Sequence, residues 1–201
     1  MPAEPEDFSP TVAHKEGLPH WETLSTEQAA DCRVFRVNRK LCRHPIRGTT
    51  AEFFVLDAAD WVNVVAVTLS GELVLVNQYR YGIEAHSLEV PGGVMEPGED
   101  PIVAARRELL EETGYAGGVA RVLGRVHPNP AIQNNRCHFV CIEGVQAGGA
   151  LGWDEHEEIE VSLLPAEDVF KLVHAGTITH ALAVNALLLF ENEKRTAGRA
   201  V

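Results

Sequence analysis

The sequence predicts an α+β fold on a mixed sheet, from three observations. Strand-like runs rich in valine and phenylalanine fill the first half; one helix with clear start and stop signals follows a glycine turn; further strands and helical segments come after it. The order strand, helix, strand, helix implies a mixed sheet with helices packed against it.

Residues 1–19 are rich in proline and acid and show no helical or strand period, which predicts a loose arm. Residues 20–59 form a β-rich region containing "CRVFRVNRKLC" and the start of "AEFFVLDAADWVNVVAVTL". "SGELVLVNQYRY" continues the strands through a Ser-Gly turn. After "PGG", Asp100 suits a helix cap, Pro101 the first turn and Gly114 the end, while Ile102, Ala105 and Leu109 make an inward stripe. "ARVLGRVHP", "RCHFVCIEG" and "EEIEVSLLP" read as later strands. "PAEDVFKLVHAGTITHALAVNALLLFENEK" reads as one or two helices broken near Gly176, and 196–201 as a tail. No internal repeat interrupts this order.

With 201 residues, 45% of them hydrophobic, the chain has material for one core and an appendage. A formal net charge of -12 with scattered basic residues disfavours nucleic-acid and anionic-membrane binding. An anionic substrate would then need metal cations and a few placed arginines. The start, "MPAEPEDFSP", lacks the basic and apolar parts of a signal peptide, and no apolar run is long enough to span a bilayer, so a cytoplasmic location is the default expectation. Cys32, Cys42, Cys137 and Cys141 lack the paired spacing of common zinc modules; Cys137, Phe139 and Cys141 alternate as packing residues of a strand would.

The chemistry concentrates on the predicted helix, where Glu108, Glu111 and Glu112 stand at i, i+3 and i+4 and converge within one turn. Like charges so placed repel, unless they form a solvated face or share a cation. Clustered carboxylates beside a glycine turn are suitable ligands for a hard divalent ion such as Mg²⁺. The surrounding pattern is Gly93, five residues, Glu99, seven residues, then Arg107, Glu108, Leu109, one residue, Glu111, Glu112, one residue, Gly114 and Tyr115. It resembles the Nudix box, with Tyr115 where an aliphatic residue is more usual.

The resemblance implies a Nudix fold, an α/β/α sandwich over about residues 60–195, and hydrolysis of a nucleoside diphosphate linked to another moiety. It implies that Glu108, Glu111, Glu112 and the carbonyl of Gly92 bind Mg²⁺, with Mn²⁺ an alternative, and that Glu99 and Arg107 pair to hold the loop. "NQYRYG" before "LEVPGG", with Pro130 fifteen residues past the box, resembles the branch that hydrolyses ADP-ribose and nucleoside diphosphate sugars. Pro130 also reads as a loop-stiffening residue.

Arg80 suits a phosphate clamp or a surface ion pair, and Glu89 a place near the metal or a pairing with a neighbouring base. In "GWDEHEEIEV" the resemblance points to Glu155 and Glu157, with Glu158 behind them, as carboxylates that position the attacking water; Glu112 is the remaining catalytic candidate. Trp21, in a polar stretch, is the better candidate for stacking on a base, whereas Trp61 begins a strand and suits the core. His127, His138 and His180 show no metal-ligand spacing and read as core or loop residues. The resemblance further implies a homodimer formed through residues 20–59. Two other readings stand beside it: a hydrolase of damaged nucleoside triphosphates, and a nucleotide-sensing regulator, which would have no need of all three acids.

Overall fold

The computed structural model describes residues 19–152 and 158–197. Three antiparallel strands come first, β1 (Glu22–Asp31), β2 (Phe35–Arg43) and β3 (Thr50–Ala58), paired in that order. β1 lies within the β-rich region 20–59 but was not delimited as a strand, because nearly every residue in it is exposed and no apolar alternation exists to find. The apolar run after Ala51 is cut at Ala59 and Asp60 and continues in a different sheet. Asp60 makes the break: its carboxylate accepts from the Arg136 N–H at 2.7 Å and its carbonyl from the Met95 N–H at 2.9 Å.

The second sheet contains β4 (Trp61–Thr68), β5 (Glu72–Arg80), β6 (Ala85–Glu89), β7 (Gly92–Val94), β8 (Tyr115–Val126), β9 (Cys137–Ala147) and β10 (Ile159–Pro165). The main path runs β10-β5-β4-β9-β8, with β6 paired to β5 and β7 to β4. β4 and β9 run parallel and the other pairs antiparallel, so the sheet is mixed.

Period-two alternation along β4 divides the core. Val62, Val64 and Ala66 face α1 (Pro101–Thr113) through Ala104, Ala105 and Leu109. Val65 and Val67 face α2 (Ala166–His174) and α3 (Ala181–Ala197) through Val169, Leu187 and Phe190. A strand buried on both faces reads as a continuous apolar run, and Asn63 is the polar exception within β4.

The loop between β8 and β9 joins the two sheets. Leu56 N–H donates to the Ile132 carbonyl at 2.7 Å, Ala58 N–H to Asn134 Oδ1 at 3.2 Å, and Asn134 Nδ2 to Asp57 at 2.6 Å. No helix among the described residues is long and apolar enough to cross a membrane.

Phe190 is fully buried and tilts against Phe170 at 6.3 Å between ring centroids. Phe190→Ala leaves a cavity under the sheet and is expected to lower unfolding stability by about 3–5 kcal/mol. Urea titration measures this, and a loss under about 1 kcal/mol would place Phe190 outside the cooperative core.

Candidate functional site

Local signals set the position of α1. Asp100 accepts from the N–H groups of Ile102 and Val103, Pro101 needs no partner there, and Gly114 ends the helix at φ 69° with its N–H on the Leu110 carbonyl. With Ala105 and Leu109 held against β4, the acidic face turns toward β7. There the chain turns at Pro91 into β7, and this Gly92–Gly93 turn comes so close that a β-carbon on Gly92 would strike the Val62 carbonyl, and one on Gly93 the Glu108 carboxylate. The Gly92 N–H donates to Glu112 Oε2 at 2.9 Å.

Arg107 offsets the repulsion within the acidic face. It donates to Glu99 through Nε and Nη2 at 3.1 and 2.9 Å, to Glu108 and Glu111 through Nη1 at 2.7 and 3.2 Å, and to the Val94 carbonyl through Nη2 at 3.1 Å. The Glu99 hydrogen bonds lead in raising the Arg107 pKa, and Arg107 in turn holds the Glu99 carboxyl below its ordinary range. Glu99 also accepts from the Glu96 N–H, so one guanidinium ties the loop to the helix. Among the described residues no three metal-ligating side chains are already drawn together. The donor set still fits a hard divalent cation: three carboxylates lie within one helical turn, against a backbone turn that has no side-chain bulk.

On the other side of this turn lies a cleft of about 450 Å³. Phe35, Leu56, Trp61 and Leu182 supply apolar walls, and Arg80, Glu89, Asn63, Gln133 and His180 supply polar groups. Arg80 makes a two-point pair with Glu89, Nε to Oε1 at 2.9 Å and Nη2 to Oε2 at 2.7 Å. The Glu89 side chain is 1% exposed and that of Arg80 40%. Burial alone would push the Glu89 carboxyl up; the Arg80 hydrogen bonds and charge overcome it and hold it below its ordinary value. His180 Nδ1 accepts from the Ala183 N–H at 3.3 Å, which caps α3, and burial favours the neutral ring.

Arg80 and Glu89 therefore belong to one cleft, next to the turn that meets Glu108 and Glu112. Trp21 lies elsewhere, edge-on to His44 and Phe53 on the first sheet. Trp61, assigned to the core from its strand position, packs against the core and also lines the cleft, because the first residue of β4 opens onto it. Pro130 is exposed in a turn, three residues before Gln133 enters the cleft. Glu155 and Glu157 lie outside the described residues; Glu158 is exposed just before β10. Asn63, Gln133 and His180 were not singled out as site residues. Only Asn63 gave a signal, as a polar residue inside an apolar strand.

A family model described as the NUDIX domain matches residues 60–186. A methanol dehydrogenase activator from Bacillus methanolicus is 30% identical over 83% of this chain and 90% of its own length. An ADP-ribose pyrophosphatase from Bacillus subtilis is 32% identical over 63% of this chain and 69% of its own. A crystal structure of an ADP compounds hydrolase superposes with a TM-score of 0.80 over 91% of this chain and 98% of that one, at 23% identity, and shares the fold.

Two outcomes follow from the geometry. Because the Glu89 carboxyl titrates lower in the folded chain than an ordinary glutamate, the Arg80–Glu89 pair stabilises fully above the ordinary glutamate range and loses its contribution as pH falls through the lowered folded pKa. Glu89→Gln is expected to flatten the acid limb of a stability-against-pH curve; an unchanged slope contradicts the pairing. Gly93→Ala drives a methyl group into Glu108 and is expected to weaken the thermal stabilisation produced by Mn²⁺, read by calorimetry, while an unaltered Mn²⁺ response would separate Gly93 from the cation site.

Proposed function

The chain belongs to the Nudix family and is a pyrophosphohydrolase, and from that premise we propose that it cleaves the diphosphate of ADP-ribose or a nucleoside diphosphate sugar to a nucleoside monophosphate and a sugar phosphate. One observation carries the reading: the acidic face of α1 and the Arg80 cleft meet at the Gly92–Gly93 turn, so a diphosphate lying on the turn has carboxylates on one side and a guanidinium on the other. A cleft of about 450 Å³ suits a ligand of nucleotide-sugar size. The B. methanolicus relative's name describes an effect on another enzyme and gives no substrate, so the substrate class comes from the B. subtilis relative and from the cleft.

In this reading Glu108, Glu111, Glu112 and the Gly92 carbonyl hold Mg²⁺, with Mn²⁺ as a substitute. The bound cation supplies charge neutralisation for the nonbridging oxygens and the departing phosphate. Arg80, pre-oriented by the buried Glu89, fixes a phosphate through its planar fork. Glu157 or Glu155 accepts the proton of the attacking water. The apolar walls, Trp61 and Phe35 among them, exclude water around the base or sugar.

A homodimer and a cytoplasmic location go with the reading. Trp21 and Phe53, 46% and 44% exposed, form an apolar patch on the first sheet that a second copy covers, and there Trp21 would reach a base. Pro130 would act by stiffening the loop that brings Gln133 into the cleft.

A phosphate-ester release assay with Mg²⁺ tests the proposal on ADP-ribose, GDP-mannose, UDP-glucose and a nucleoside triphosphate, with a chelator control. Chelator-sensitive cleavage of a diphosphate-linked sugar supports it, and cleavage of the triphosphate alone overturns it. Glu112→Gln keeps an oxygen for the Gly92 N–H, so the fold should persist while kcat falls by about 100-fold or more, the upper range for residues that merely support metal ligands.

A further inference from the structure

Asn63 is 7% exposed in the middle of β4, where its neighbours are Val62 and Val64, both fully buried. An amide in such a place costs stability unless both of its ends find partners. One end does: the Cys137 thiol donates to Asn63 Oδ1 at 3.3 Å, a closer acceptor than the His138 carbonyl at 3.9 Å. Cys137 is itself fully buried, and burial pushes its thiol up to about 12, so near neutral pH it remains a donor. A permanent donor on one side fixes which way the amide faces, with the oxygen toward Cys137 and the NH₂ group away from it. Among the described residues Nδ2 has no protein acceptor, and the group is not sealed in the core, because Asn63 lines the cleft.

The cleft position is specific. In the β4–β7 ladder Asn63 stands opposite Gly92, the residue whose N–H meets Glu112. By the alternation along β4 the Asn63 side chain points to the α2–α3 face with Cys137, and it lines the cleft together with Arg80 and Glu89, so the donor shares the cleft with the guanidinium placed on a phosphate; an acceptor oxygen is what it lacks.

We propose that Asn63 is a substrate-binding residue whose NH₂ group donates to a phosphoryl oxygen of the bound diphosphate, and that Cys137 is a positioning residue which holds the amide in that orientation. The proposal rests on the diphosphate-ester reading above. It assigns a neutral donor to Asn63, in addition to the cationic fork of Arg80.

The test compares the wild type with Asn63→Ala, Cys137→Ser and Cys137→Val. Two readouts are used: binding of ADP-ribose, GDP-mannose and UDP-glucose by calorimetry with chelator present, and steady-state hydrolysis with Mg²⁺. Thermal melts establish that each variant is folded. Loss of a hydrogen bond to a charged acceptor predicts that Asn63→Ala weakens binding and kcat/KM by about tenfold or more, equally across the sugars, since all share the diphosphate. Cys137→Ser retains a donor and should stay near wild type. Cys137→Val leaves the amide free to turn and should fall between wild type and Asn63→Ala.

A folded Asn63→Ala protein that binds and turns over like wild type overturns the proposal. A loss confined to one sugar also overturns it, by moving the contact off the phosphate, and equal behaviour of the serine and valine variants removes the role of Cys137. A wild type that neither binds any of the three ligands nor hydrolyses any of them with Mg²⁺ overturns the substrate reading together with this one, so the two failures are distinguishable.

Discussion

Everything functional in this chain is arranged around a backbone approach that admits no side chain. At Gly92 the main chain lies against the Val62 carbonyl, and at Gly93 against the Glu108 carboxylate, so sheet, turn and helix meet without intervening carbon. Glycine at these two positions is a requirement of space. The Val64 N–H donates to the Pro91 carbonyl at 2.7 Å just before the turn, which fixes its height above β4. The orientation of the acidic face, the reach of Arg107 to the Val94 carbonyl and the location of the cleft follow from that contact.

The two sides of the turn handle charge by different means. On the helix side, the part-buried Arg107 shares its donors among the loop acid Glu99 and the helix acids Glu108 and Glu111. Such an arrangement is adjustable, because a cation can take over part of the balancing role. On the cleft side, the Glu89 carboxylate is buried and the paired Arg80 side chain is 40% exposed, so the buried acid fixes the orientation of the guanidinium. The asymmetry in exposure gives the pair a direction that a surface ion pair lacks.

How much of this was legible in the sequence depended on whether the signals were local. The cap at Asp100, the stripe of Ala105 and Leu109 and the stop at Gly114 lie within fifteen residues, so α1 and the arrangement of its acids could be read directly. The mixed sheet was legible from the order of strands and helices along the chain, with β4 and β5 apolar enough to be read as strands. β1 was not legible, since a strand exposed on both faces carries no alternation. The cleft was only half legible. Arg80 and Glu89 lie close to the box in sequence, whereas Asn63, Gln133 and His180 come from a strand, a loop and a helix cap brought together by tertiary packing alone. Trp61 shows the same limit: its position at the start of a strand suggested the core, and the fold brings it to the cleft as well.

The loop that sutures the two sheets has an evolutionary consequence. Leu56 and Gln133, opposite each other in an isolated parallel bridge, come from segments far apart in the chain, and both face the cleft. Neither belongs to α1, which carries the clustered acids, or to the Gly92–Gly93 stretch beside it. Changes in the length or sequence of that loop can therefore reshape the pocket for a new leaving group while the cleavage apparatus stays intact. The walls of the cleft and the acidic face of α1 are thereby supplied by separate segments of the chain, so a substitution in one leaves the other in place.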